Sequence, residues 1–137
     1  MSKVIKGKPV MEGIVEGEAL VSTKRINLLY DLEFETGNIL RKDHEYYGVS
    51  VAGKILVFPS GVGSVGLSSV LYNLVKNGVA PKAIINQELE TTIVFGALIS
   101  KVPMVSDLEV DILKAFKTGD ILRVDGGKGE VTILKKA

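Results

Sequence analysis

The sequence contains no cysteine and no tryptophan, and its only histidine is His44. Without cysteine the chain has no disulfide framework, no thiol nucleophile and no thiolate ligand for zinc or an iron–sulfur cluster. A lone histidine cannot form a multi-histidine metal site. We therefore expect the chain to bind no metal ion or cofactor of its own.

The chain also lacks an excess of charge of one sign, because it has 17 lysines and arginines and 16 aspartates and glutamates. Such a chain has no bulk field that would attract nucleic acid or an anionic membrane. The first ten residues, MSKVIKGKPV, do not have the charged-then-apolar pattern of a secretion signal. No apolar run approaches the roughly 18 residues of a membrane span. We expect a cytoplasmic protein that binds neither nucleic acid nor membranes.

What the sequence does have is enough apolar residues for a hydrophobic core: 46% of its 137 residues are hydrophobic. This length is typical of one domain. The sequence shows no internal repeat, low-complexity tract or linker. We therefore expect residues 1–137 to form a single domain.

The order of apolar patterns predicts an α/β domain with an antiparallel β-rich half and a parallel α/β half. Residues 1–60 contain short apolar stretches separated by glycines, and residues 54–58 are typical of a strand buried on both faces. Helices and strands then alternate: helices are predicted from Ser64 to Asn77-Gly78 and over 91–100, strands over 83–85 and 103–105, and a hairpin over 120–134. The pattern Ser106-x-x-Glu109 predicts a capping box that opens a third helix through Phe116.

The segment 58–64, FPSGVGS, runs from a buried strand through a glycine turn into a helix. Open α/β sheets bind ligands at the carboxyl ends of their strands, and helix N-termini attract anions. Gly61 and Gly63 would let a carboxylate or phosphate approach the backbone closely. Ser64 stands where a helix N-cap belongs, and a plain cap is the alternative to a functional role. The spacing matches neither a P-loop, a dinucleotide fingerprint nor a nucleophile elbow, so the residues alone indicate an anion-binding turn.

Three other groups of polar residues carry weaker signals. His44 is expected in a loop or at the surface and not as a substrate contact. The pairs Glu33/Glu35 and Glu88/Glu90 are expected on solvated faces and not as an acid–base pair.

Several segments, taken in order, resemble the small subunit of aconitase X, a swivelling β/β/α domain. The similar segments are residues 17–22 (GEALVS), 36–39 (TGNI) with His44 and Gly48, 51–61 (VAGKILVFPSG), 63–64 (GS), 77–85 (NGVAPKAII), 96–97 (GA) and 103–105 (PMV). They span nearly the whole chain.

The resemblance implies the small subunit of a heterodimeric hydro-lyase that is active only with a large subunit. It implies that the large subunit holds an iron–sulfur cluster on its cysteines, while this chain contributes Ser64 as the catalytic base. Gly61, Gly63 and Val65 are then the expected substrate-binding positions. The implied substrate is a small anionic hydroxy acid. In archaeal members the reaction is phosphomevalonate dehydration in the mevalonate pathway of isoprenoid biosynthesis, and bacterial relatives act on hydroxyproline.

One position and one segment depart from the family pattern. Val62 stands where the family has lysine or arginine, and residues 30–37, YDLEFETG, replace the family's GGVDPxTG. The change at Val62 favours the alternative function, a binding or regulatory module that keeps the swivelling fold without the dehydratase chemistry. On either interpretation, we expect an exposed apolar patch beside residues 61–64 to mark the face that docks onto the large subunit.

Overall fold

The computed structural model describes residues 3–61 and 67–137 of the chain. Its strands are β1 (Lys3–Lys6), β2 (Lys8–Met11), β3 (Ile14–Val21), β4 (Ile55–Phe58), β5 (Ala83–Asn86), β6 (Met104–Ser106), β7 (Ile121–Asp125) and β8 (Glu130–Lys135). Its helices are α1 (Leu28–Asp31), α2 (Leu67–Lys76), α3 (Thr91–Ser100) and α4 (Ile112–Ala115).

The strands form one mixed sheet in the order β1-β8-β7-β3-β4-β5-β6-β2. Strand β1 pairs antiparallel with β8, β8 with β7, and β7 with the first half of β3. The second half of β3 pairs parallel with β4, and parallel pairing continues through β5 to β6. Strand β2 closes this side antiparallel to β6. The predicted fold class, an antiparallel half joined to a parallel α/β half, is confirmed.

Strand β3 belongs to both halves, and its burial changes where the pairing changes. Residues 14–18 alternate between exposed and half-buried, as in an antiparallel strand with one solvated face, whereas Ala19–Val21 are all buried. Every residue of β4 and β5 is buried as well. The parallel half is therefore the core of the domain, covered on both faces.

Alternate residues of the parallel strands enter two separate clusters. One cluster joins Leu56 and Phe58 to buried residues of α2 and α3, and the other joins Ile55 and Val57 to residues of α4 and of the β7–β8 hairpin. This is the period of two expected for a strand. It fixes the register of β4, because a slip by one residue would exchange its two sets of contacts.

The prediction of a third helix capped by Ser106 and Glu109 is wrong. Ser106 is the last residue of β6 and is fully buried, and its hydroxyl donates to the Asp107 carboxylate at 2.8 Å. The helix α4 begins later, after Asp111, whose side chain accepts a hydrogen bond from the Leu113 N–H. The chain turns at Asp107, which has a φ of 51°, and a residue in that conformation cannot open a helix directly.

The helix predicted over residues 91–100 is confirmed despite its β-branched first turn. Glu90 is its N-cap and accepts from the Ile93 N–H, while Lys101 ends it in the left-handed conformation with φ 58°. Two defined caps and burial against the sheet outweigh the low helix propensity of threonine, isoleucine and valine.

Candidate active-site edge of the sheet

The carboxyl ends of the four parallel strands lie at one edge of the sheet, and each is followed or ended by a buried polar residue. These are Ser22 directly after β3, Ser60 two residues after β4, Asn86 at the end of β5 and Ser106 at the end of β6. An edge of this kind is the usual ligand site of open α/β sheets. We call these four residues the edge row. The row was not predicted from the sequence, although each member follows an apolar run, in EALVS, ILVFPS, AIIN and PMVS.

The first member, Ser22, is hydrogen-bonded to His44 in a buried network. The Tyr46 N–H donates to His44 Nδ1 at 2.9 Å, so the ring carries its proton on Nε2, which lies 2.7 Å from Ser22 Oγ. The Ser22 hydroxyl in turn donates to the Lys24 carbonyl at 2.8 Å. Every polar atom of the neutral imidazole therefore has a partner.

His44 lies in a loop, one of the two places expected for it, and within that loop it is buried, because only 6% of the residue is exposed. Burial lowers the pKa of His44 below its ordinary value of 6.5, and the nearby cations Lys24 and Arg41 lower it further, while Glu45 opposes them. The histidine is thus held neutral and ties the loop to the end of β3. The sequence gives no signal of this pairing, since the two residues lie 22 positions apart.

We expect the domain to lose stability through His44 as the pH falls. The folded state disfavours the protonated ring, whereas the unfolded chain takes up the proton near pH 6.5, so the stabilisation is complete above about 6.5 and declines below it. Urea unfolding at about pH 7.5 and 5.5 should show a larger drop for the wild type than for His44→Gln, which has no titrating ring. Equal drops in the two proteins would show that His44 does not contribute.

Asn86 is fully buried at the end of β5 and has only half of its amide satisfied. Its Nδ2 donates to the Phe58 carbonyl at 3.1 Å and to the Ile85 carbonyl at 3.3 Å, which ties the end of β5 to the end of β4. Its Oδ1 has no hydrogen-bond partner among residues 3–61 and 67–137. A buried acceptor without a donor costs on the order of 1–3 kcal/mol, so its presence at this edge calls for an explanation.

Gly61 lies where the glycine turn meets the first turn of α3. It pairs with Ile26 in a single bridge, and a Cβ placed on it would overlap Ile93 Cγ1 and lie 3.2 Å from Glu90 Oε2. The Glu90 carboxylate accepts from the Ile93 N–H at 3.1 Å and from the Thr92 hydroxyl. Glu90 is therefore a half-buried cap beside the turn, which corrects the expectation of a solvated face, whereas Glu88 is exposed.

We expect Gly61→Ala to destabilise the domain by about 1–3 kcal/mol, because the added methyl group would force Ile93 out of its packed position. Chemical denaturation of the two proteins measures the difference. Gly127→Ala is the matched control, since a Cβ there would meet nothing closer than 3.7 Å. Equal stabilities of the Gly61 and Gly127 variants would contradict the close packing of the turn against α3.

The remaining residues expected at this site, Gly63, Ser64 and Val65, lie outside the described residues, as does Val62. The described chain reaches Gly61 on one side and resumes with α2 at Leu67 on the other. The structure thus brings Gly61 together with the edge row and with Glu90, and the role of Ser64 stays a prediction.

Helix α3 exposes large apolar side chains although no residue within it is charged. Phe95, Leu98 and Ile99 are 54%, 43% and 57% exposed, and their i, i+3, i+4 spacing places them on one side of the helix. We call these three residues the apolar face. The first turn of the same helix packs beside Gly61. An exposed apolar patch is therefore present on the helix whose buried side packs against Gly61, and a helix that is apolar all round is usually covered. That such a patch lies beside residues 61–64 stays a prediction.

Residues 3–61 and 67–137 include no group of three histidine, aspartate or glutamate side chains that could hold a metal ion. Within the same ranges no helix has the length and apolar character to cross a membrane.

The chain matches one protein family over nearly its whole length. Residues 4–133 match the aconitase X swivel domain. The phosphomevalonate dehydratase small subunit of Thermococcus kodakarensis is 47% identical over 131 residues, 96% of each chain. That of Methanosarcina acetivorans is 41% identical over 96% of this chain and 91% of the other. The crystal structure of Thermococcus kodakaraensis aconitase X in its holo-form has a TM-score of 0.91 at 44% identity, covering 97% of this chain and 99% of that one. The chain belongs to the aconitase X swivel-domain family.

Proposed function

We propose that the chain is the small subunit of a cytoplasmic phosphomevalonate dehydratase, a hydro-lyase that is active only with its large subunit. The observation that carries the proposal is similarity at 41–47% identity, over more than nine-tenths of both chains, to two proteins named as such small subunits. The reaction would belong to the mevalonate pathway of isoprenoid biosynthesis.

In this proposal Ser64 is the base. It takes the proton from the carbon next to the substrate carboxylate, the electrons of that C–H bond form the double bond, and the hydroxyl leaves the adjacent carbon, so that one water is lost overall. Gly61 supports this placement, because it fixes the start of the turn against α3 and the edge row. Gly63 and Val65 would contact the substrate through their backbone N–H groups. A serine can serve as a base only where its anion is stabilised, which a closed subunit interface would favour.

The donor set of this chain does not fit an iron–sulfur cluster. The sequence has no cysteine, and the described residues hold no group of three other ligands. We therefore assign the cluster to the cysteines of the large subunit, where it would supply the Lewis acid for the leaving hydroxyl.

We further propose that the apolar face of α3 docks onto the large subunit. The face is the exposed side of the same helix whose first turn packs against Gly61. Apolar and aromatic side chains of this kind are typical of the buried core of an interface. A small subunit without a covered α3 would leave these side chains in water.

The second candidate function is a binding or regulatory module that has kept the fold and lost the chemistry. Val62 favours it, because the family's cation at this position would help to bind a substrate anion or ionise the serine. Such a module would still assemble with the large subunit.

Co-expression with the large subunit from the same organism tests the proposal. We expect a stable complex that dehydrates phosphomevalonate and does not turn over hydroxyproline. A complex that turns over neither compound would favour the binding or regulatory module. Turnover of hydroxyproline alone would show that hydroxyproline, and not phosphomevalonate, is the substrate. A chain that never associates with the large subunit would overturn both candidate functions.

A further inference from the structure

Two members of the edge row make fewer hydrogen bonds than they could within the described residues. Asn86 Oδ1 is buried and has no partner there, and the hydroxyl of Ser60, a residue that is 7% exposed, makes no hydrogen bond with that part of the chain. The other two members are satisfied, since the Ser22 hydroxyl donates to Lys24 and the Ser106 hydroxyl to Asp107. Native structures rarely leave a buried acceptor such as Asn86 Oδ1 unpaired, which indicates an edge that is completed from outside, and the Ser60 hydroxyl lies at the neighbouring strand end.

The backbone around Ser60 is held on both sides. The Ile26 N–H donates to the Ser60 carbonyl at 3.3 Å, and the N–H groups of Gln87 and Glu88 both donate to the Pro59 carbonyl at 3.0 Å. Gly61, the next residue, is bridged to Ile26 and packed against α3. The Ser60 side chain is therefore attached to a fixed stretch of backbone. Binding a ligand through it would cost little conformational entropy.

We infer that Ser60 is a substrate-binding residue whose hydroxyl donates a hydrogen bond to an anionic oxygen of the substrate. A serine hydroxyl carries one donor, and a carboxylate or phosphate oxygen is the strongest acceptor that it can meet. The inference rests on the proposed function, because the substrate is taken to be the hydroxy acid anion of that reaction. It adds to the glycine turn a side chain that no family pattern singled out.

Ser60→Ala in the reconstituted two-subunit enzyme tests the inference. Loss of a hydrogen bond to an anion should raise KM for phosphomevalonate by about ten- to a hundredfold and leave kcat within a few-fold. This is the pattern expected when the lost interaction stabilises the bound substrate and the transition state equally. The melting temperature should not fall, because the hydroxyl has no hydrogen-bond partner among the described residues. A purely structural serine would show the reverse, a lower melting temperature and an unchanged KM.

Ser100→Ala is the matched control. Its hydroxyl is buried and has no hydrogen-bond partner among the described residues, and it lies on the last residue of α3, at the far end of the helix from Gly61. We expect this variant to keep the wild-type KM. If the wild-type enzyme is active and Ser60→Ala has the same KM as Ser100→Ala, the inference is overturned while the proposed function stands. A wild-type complex without dehydratase activity would overturn both.

Discussion

Replacing Ser64 with alanine should lower kcat of the reconstituted enzyme by about a hundredfold to ten-thousandfold, the usual contribution of a general base. Binding of the substrate and assembly with the large subunit should be almost unchanged, because the hydroxyl would act only as the proton is removed. Steady-state kinetics of the complex, with the melting temperature of each variant measured alongside, separate this effect from a loss of folding.

A serine that only caps the following helix would behave differently. Its removal would cost about 1 kcal/mol of stability and leave turnover within a few-fold. Ser69→Ala, in the first turns of α2, is the control, and we expect it to cost far less activity than Ser64→Ala. A Ser64→Ala enzyme as active as this control would leave Ser64 as a cap and remove the base from the proposed mechanism.

Introducing charge on the apolar face should abolish the subunit complex. Phe95→Asp and Ile99→Asp each place a carboxylate where we propose that the large subunit packs, and the loss of one central apolar anchor alone costs about 2 kcal/mol or more. We expect the double variant to raise the dissociation constant of the complex by at least about a thousandfold. Both side chains are more than half exposed in the isolated chain, so its stability should hardly change.

Ile14→Asp is the control for this experiment. Ile14 is 66% exposed on β3, in the antiparallel half of the sheet. Size-exclusion chromatography and calorimetric titration with the large subunit should show normal assembly for this control and none for the α3 double variant. Normal assembly of the double variant would show that the large subunit docks elsewhere.

The parallel half of the fold could be predicted from sequence because its signals are local. Residues 54–58 form a continuous apolar run, the helical spacing from Val70 to Leu74 follows the glycine turn, and Asn77-Gly78 ends that helix. Each of these depends on neighbours within one element. A strand that is apolar on both faces must be covered on both sides, and parallel sheets of α/β domains provide this cover.

What the sequence could not show depends on contacts between distant residues. The Ser106-x-x-Glu109 pattern fits a capping box, but pairing of β6 with β5 and β2 extends the strand through Ser106 and places the helix start five residues later. His44 is expected in a loop or at the surface from sequence alone, and its burial depends on the loop folding back onto Ser22. Glu90 likewise becomes a cap beside Gly61 only when α3 packs against the turn.

The most direct measurement is a titration of the large subunit with this chain, with formation of the dehydrated product from phosphomevalonate as the readout. Neither subunit alone should form product, and activity should rise with added chain until the two are equimolar and then stay constant. Activity of the large subunit alone, or no product at any ratio in a mixture that forms the complex, would contradict the assignment of this chain as the small subunit of a phosphomevalonate dehydratase.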